Sequence, residues 1–476
     1  MIFSSFSFMV FFPVVGGLYY LSPQKVRWLI LLLSSYFFYL NLKPVFAVFL
    51  IGTTLSTYAA GLFLAKTEQR KTRRLILTLT ILVNVGALFF FKYYNFLNGS
   101  IYSLLSLAGL RWPLPQLDLL VPIGISFYTF QVVGYITDVY RRDIDAERHL
   151  GIFALFVSFF PTILSGPIER AGNMLPQYKS NHPFIYDNAV NGLRLMLWGY
   201  FMKLVVADRL GIYVDAVYGN IGNHTGKTLL LATILYTFQL YSDFGGYSLI
   251  AIGAAKFMGF TVMENFRRPY LFSRSMSDFW KRNHISLTTW IMDYVYYPLI
   301  GTSSKKWIWN IAMLIAFLVS GFWHGVGWNF VIWGFLHGTF VIISSNSQKK
   351  RKHFEKRFNL KTNKAWIFLS CVTTYIIVLI PTIFFRASST QDAFRILQKV
   401  LLPFGSLFID APTLAYGCFG LLIVFFKDFR DEFFPEKFPV FLNKKVYIRY
   451  SAYLILTILI LLVGVFDGGQ FIYFQF

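Results

Sequence analysis

An all-α, polytopic membrane protein is the fold class the sequence predicts. Three observations carry it: too little charge to cover a water-soluble globule, repeated apolar runs of bilayer-spanning length, and basic residues gathered in the short stretches between them. Charged residues make up 14% of the 476-residue chain and apolar ones 56%, against about 25% charged in a soluble domain. Mean hydropathy is +0.55. The aromatic share, 20% with 54 Phe, suits the same setting: Phe sits well in hydrocarbon, and Trp and Tyr at the interfaces.

Crossing a hydrocarbon core of about 30 Å takes roughly 20 apolar residues in a helix. Candidate spans lie near 4–22, 27–42, 44–65, 75–91, 119–138, 150–166, 189–206, 228–242, 245–260, 307–323, 328–345, 365–385, 413–427 and 447–466. Several are short, so some are expected to tilt or re-enter, leaving about 10–13 true spans. The first basic residue, Lys25, comes after the run 2–21, which reads as a first membrane helix with its N-terminus outside.

A net charge of +22 in a soluble chain would suggest nucleic acid. Here the charges sit in loop clusters: Lys66, Arg70, Lys71, Arg73 and Arg74; Arg141, Arg142 and Arg148; Lys349 to Arg357. That is the positive-inside pattern, with anionic lipid as partner, and no nucleic-acid role is expected. The segment 92–118, with Asn95, Asn98 and the turn at 112–115, is expected to lie outside. No internal repeat or linker appears, and the polar loops 167–187 and 427–446 are too short for a core. The chain reads as one membrane-embedded domain over 1–476, richest in motifs from 119 to 345.

The stretch 264–299 is the most informative. It lies between apolar runs but is too polar to span a membrane, with Arg267, Arg268, Arg274, Lys281 and Arg282 against Glu264 and Asp278 before His284. Ser277 is placed to cap a helix from Asp278, with Phe279, Asn283, Leu287, Trp290 and Tyr294 on one face and Pro298 ending it. Such a helix either lies on anionic lipid or forms the mouth for an anionic cytosolic donor. His284, one turn from Trp280 and from Thr288, fits either reading.

The second stretch is 319–338, VSGFWHGVGWNFVIWGFLHG. An ionisable His324 after a long apolar run is a functional-site candidate because burying it there is costly. Gly321, Gly325 and Gly327 surround it, and Trp323 and Trp328 are candidates to wall a cavity. Three plainer readings stand beside this one: glycines for helix packing, a structural histidine satisfied by a carbonyl, or a haem pair with His337. Zinc is disfavoured, with no Cys, His or carboxylate at i+3 or i+4 from His324, and no metal is expected. Asp243, between two apolar runs, either lines the same cavity or caps a helix. Glu169 and Arg170 are candidates for an internal ion pair.

With these residues in hand, the chain resembles the membrane-bound O-acyltransferase superfamily, and within it the alginate O-acetyltransferase branch. The resemblance is carried by VPIGISFYTFQ at 121–131, SFFPTILSGPIER at 158–170, MLPQ at 174–177, YSDFGGYSLIAIG at 241–253, ENFRRPY at 264–270, SDFWKRNHISLTTWIMDYVYYPL at 277–299, GFWHGVGWNFVIWGFLHG at 321–338 and FIYFQF at 471–476, all in the family's order. It implies spanning, re-entrant and interfacial helices around a central chamber open towards both sides. The family's principal catalytic histidine falls on His324 and its second on His284. Asn283 stands where many relatives carry an aromatic residue.

The resemblance further implies an enzyme of a bacterial cytoplasmic membrane with no bound cofactor. It would move an acyl group, acetyl by resemblance, from acyl-CoA to a hydroxyl of an exported or cell-surface polysaccharide, directly or through an extracytoplasmic SGNH-type partner protein. His324 would act as general base, and His284 would orient the donor or stabilise the oxyanion. Arg267, Arg268, Arg274, Lys281 and Arg282 would draw the CoA phosphates. Asp243, Asn283, Trp323 and Trp328 are the candidates for the chamber wall. The alternative is a polysaccharide or lipid transporter, which also needs polar residues at mid-membrane.

Overall fold

The computed structural model describes residues 1–466 apart from 111, 113, 403, 404, 436, 438–440 and 442. The motif at 471–476 and residue 113 of the 112–115 turn lie outside the described residues. Among the described residues every regular element is helical, and they form two compact units.

The first unit holds residues 1–192 and 254–263. Its helices are α1 (Phe6–Leu21), α2 (Gln24–Leu40), α3 (Phe46–Lys66), α4 (Arg70–Leu107), α5 (Ile125–Arg141), α6 (Leu150–Ser158) and α7 (Ala171–Lys179). The Ser5 hydroxyl accepts the Phe8 N–H at 3.3 Å and caps α1. α4 runs 38 residues, well past the expected span at 75–91, so much of 92–118 is helix rather than loop. The two asparagines expected in that loop lie on α4 and fasten the segment that leaves it. Asn95 exchanges hydrogen bonds with the Leu117 backbone at 2.7 and 2.9 Å, and Asn98 Nδ2 donates to the Pro115 carbonyl at 3.0 Å. Arg73, from a basic cluster, is buried. Its guanidinium donates to the carbonyls of Leu64 and Tyr140 at 2.6 and 2.9 Å, closing the ends of α3 and α5. The expected span at 150–166 shortens to the nine-residue α6 because the chain turns at Phe159–Pro161. Glu169 accepts from Asn173 Nδ2 at 2.8 Å and from the Met263 N–H, which ties 258–263 to this unit.

The second unit holds residues 193–253 and those from 264 onward. α8 (Tyr186–Tyr200) enters it, widens to a π-helical turn at Phe201–Ala207 and continues as α9 (Asp208–Tyr218). α10 (Gly226–Phe257) is one 32-residue helix where the sequence suggests two spans, 228–242 and 245–260, interrupted at Asp243. Glycine just beyond permits close packing: a Cβ on Gly246 would lie 2.7 Å from the Gly199 carbonyl oxygen. There follow α11 (Pro269–Phe272), α12 (Met276–Arg282), α13 (Ile285–Ile291), α14 (Tyr297–Ile300), α15 (Lys306–His324), α16 (Trp328–Arg357), α17 (Lys364–Arg386), α18 (Thr390–Leu401), α19 (Ala411–Phe433) and α20 (Val446–Val463).

Among the described residues seven helices are long and apolar enough to cross a membrane: α3, α4, α15, α16, α17, α19 and α20, with α1 a shorter apolar one. The protein is an all-α polytopic membrane protein. The other spans expected from sequence fall on short or interrupted helices, or on α10.

The contact between α8 and α10 can be tested directly. Gly246→Val drives a side chain into a neighbouring backbone and should cost about 1–3 kcal/mol, read as a lower thermal midpoint in detergent. Gly86→Ala, where a Cβ meets nothing within 4 Å, should leave the midpoint unchanged or raise it.

Candidate active site

The polar stretch 264–299 does not form the single helix its pattern suggests. Ser275, not Ser277, caps α12, accepting the Asp278 N–H at 3.2 Å. α12 stops at Arg282, and His284 adopts a left-handed backbone with φ +46°, a conformation costing a non-glycine residue about 1–3 kcal/mol. α13 then restarts at Ile285, and Pro298 sits in the first turn of α14 rather than ending a helix.

Asn265 causes the break. Its carbonyl accepts the Ile285 N–H at 2.9 Å, and the Arg282 carbonyl accepts the Arg267 N–H at 2.8 Å. The backbone at 265–267 is thereby held beside that at 282–285. The Asn265 side chain completes the clamp. Its Oδ1 lies 3.3 Å from the Ser286 backbone nitrogen, 2.9 Å from Ser286 Oγ and 3.2 Å from His284 Nδ1, and its Nδ2 donates to Ser248 Oγ at 3.1 Å.

His324 is the last residue of α15, which packs against α16 at unusually close range. A Cβ on Gly321 would lie 2.4 Å from the Phe330 carbonyl oxygen, and one on Gly334 2.5 Å from the Phe317 carbonyl oxygen, so glycine sets the helix separation. The packing reading of the glycines therefore holds here, alongside a cavity next to the histidine.

His284 and His324 line one cavity, with ring centroids 6.0 Å apart. Both are buried. Asn283, Trp280, Trp333 and His337 also line it. Burial pushes the His284 imidazole down to about 3, so the ring is neutral at ordinary pH. His337 is buried too, and its Nδ1 has no hydrogen-bond partner among the described residues. The Trp333 ring packs against His324 at 4.8 Å and against His337 at 4.7 Å. It occupies the place a haem bridging those two histidines would need. Among the described residues no three His, Cys, Asp or Glu side chains gather into a metal-binding group.

The remaining sequence candidates scatter. Trp323 packs on both histidine rings, 5.6 Å from His284 and 4.9 Å from His324, but stands behind them rather than on the cavity. Trp328 opens α16, is 56% exposed and does not line this cavity. Asp243 is turned away too. Leu240, Tyr241 and Phe244 of α10 face the cavity, while Asp243 lies about 100° round from Phe244 and meets Lys203 at 2.7 Å. Lys203 also holds Asp208 at 2.7 Å, one buried cation between two carboxylates.

Of the basic residues, Arg267 pairs with Glu264 at 2.8 Å, and Arg268 and Arg282 share Glu432, each at 2.9 Å. Arg282 also meets Asp278 at 3.2 Å. Arg274 and Lys281 are exposed. Sequence reasoning missed Trp333 and Asn265, and weighed His337 only as a haem ligand. The spacing of Phe330, Trp333 and His337 along α16 marks a common face, a signal available beforehand; Asn265 has none.

The family model of the membrane-bound O-acyltransferases matches residues 149–390, a stretch containing the cavity's histidines. The chain belongs to this family. Its relatives place it in the alginate O-acetylase branch. It is 34% identical to the probable alginate O-acetylase AlgI of Pseudomonas putida over 510 aligned residues, 100% of both chains. It is 32% identical to a peptidoglycan O-acetyltransferase of Helicobacter pylori over 78% of this chain and 73% of the relative. It is also 32% identical to a teichoic acid D-alanyltransferase of Streptococcus thermophilus over 49% of this chain and 59% of the relative. The protein is thus a membrane-bound acyltransferase, and of the two readings left open by its residues, acyl transfer is the one the family carries.

The buried charges of this acyltransferase give a test of its packing. Lys203→Met strands Asp208 and Asp243 in an apolar setting. It should lower stability by about 3–5 kcal/mol, measured as earlier thermal unfolding in detergent than the parent.

Proposed function

We propose that this acyltransferase takes an acetyl group from acetyl-CoA on the cytosolic side of a bacterial cytoplasmic membrane. It delivers the group to a hydroxyl of an exported or cell-surface polysaccharide, directly or through an extracytoplasmic SGNH-type partner. The observation that carries the reading is the pair of buried imidazoles, 6.0 Å apart on one cavity, within a chain whose relatives are named for O-acetylation and D-alanylation.

The reaction needs a proton acceptor beside the thioester. His324 takes the proton of the attacking hydroxyl while its oxygen bonds to the carbonyl carbon. Collapse of the tetrahedral intermediate breaks the carbon–sulfur bond, and the thiolate leaves with that proton. General acid–base help of this kind contributes about 10²- to 10⁴-fold. His284 is the second imidazole against the reacting atoms. Exposed Arg274 and Lys281 supply phosphate contacts for the donor. Arg268 and Arg282 do so only by exchanging Glu432 for phosphate.

The test is polymer acetylation in cells lacking the chain and complemented with His324→Ala. Acetyl ester on the surface polymer should fall by about 10²-fold or more, with the same amount of protein in the membrane fraction. Normal acetylation in that strain would overturn the role of His324.

A further inference from the structure

The position of Asn265 determines more than a turn. We infer that Asn265 is a positioning residue that fixes the tautomer of His284, holding its hydrogen on Nδ1 and leaving the lone pair on Nε2. The inference rests on the acyl-transfer reading for its consequence, but not for its geometry.

Amide oxygen and nitrogen are easily interchanged in a structure, yet here chemistry decides between them. The Ser286 backbone N–H can only donate, so the Asn265 atom 3.3 Å from it must be the oxygen. The Ser286 hydroxyl, 2.9 Å from the same atom, agrees. Nδ2 is then the atom directed at Ser248 Oγ, 3.1 Å away. Since Oδ1 can only accept, His284 Nδ1 at 3.2 Å must be the donor. In a neutral imidazole the other nitrogen then carries no hydrogen.

This changes what His284 can do. A neutral ring protonated on Nδ1 offers no N–H at Nε2, so it cannot donate to an oxyanion from that side, a role the sequence alone left open. It presents an acceptor, suited to the hydroxyl of the incoming nucleophile. Two hydrogen-bonding roles are thereby divided: His284 orients the hydroxyl, and His324 removes its proton.

The experiment uses the full chain in nanodiscs, labelled with ¹⁵N-histidine, with the His284 signal recognised by its loss in His284→Gln. Wild type should show the hydrogen on Nδ1. Asn265→Asp, which keeps an acceptor, should retain that signature and most of the transfer rate. Asn265→Leu should lose the signature and lower kcat about 10- to 100-fold, with little change in KM for acetyl-CoA. A wild-type spectrum with the hydrogen on Nε2 overturns the inference, and this measurement needs no variant to fold. So does an Asn265→Leu protein that keeps the Nδ1–H signature or the full kcat. Should the wild-type chain transfer no acetyl group from acetyl-CoA while the spectra behave as expected, the acyl-transfer reading fails and the tautomer stands.

Discussion

A polar group buried away from water costs free energy unless it finds a partner within the chain. The clamp at Asn265 is where this constraint shapes the most structure. One residue engages the backbone at Ile285 and Ser286, two side chains of the same turn, and Ser248 on α10. A hydrogen bond contributes about 0.5–1.5 kcal/mol net and a left-handed histidine costs about 1–3. Several bonds around one asparagine therefore outweigh the strain at His284. Without them the α12–α13 segment would gain by becoming the continuous helix its periodicity favours.

The same constraint disposes of the charges. In the sequence the arginines near His284 look like an open basic mouth, yet Arg268 and Arg282 converge on Glu432. Arg73 is spent on the carbonyl ends of two helices, and Lys203 lies between two aspartates. A high net charge therefore says little about how many cations are available to a ligand. What does remain exposed beside the cavity's motif, Arg274 and Lys281 together with Arg267 in its pair with Glu264, is a smaller and more selective attraction than five loose cations.

How much was legible depends on which interactions are local. Membrane class, helical class and the apolar helices late in the chain rest on composition and run length, and both survive into the structure. His324 and His284 stood out because an imidazole after a long apolar run, or within a strongly patterned polar stretch, contradicts its surroundings. Asn265 was invisible because its partners lie about twenty residues away along the chain and nothing in ENFRRPY announces them. Asp243 misled for a related reason: a carboxylate between apolar runs is equally consistent with a cavity and with a buried cation, and only the placement of Lys203 separates the two. The same carboxylate divided 228–242 from 245–260 in the sequence, although α10 runs through both as one helix.

The two histidines reach one cavity by different local routes, and the difference has a physical reason. A side chain in the middle of a helix lies over the preceding turn, so its ring is framed by its own helix. His324 escapes that frame by ending α15, where its ring stands before the face of α16 that carries Trp333. His284 escapes by interrupting the helix altogether, which opens one edge of its ring to a segment distant in sequence. His284 thereby has one nitrogen engaged by Asn265 while the residue still borders the cavity. The break in the polar helix is thus the means by which the chain orients an imidazole in a setting where water cannot.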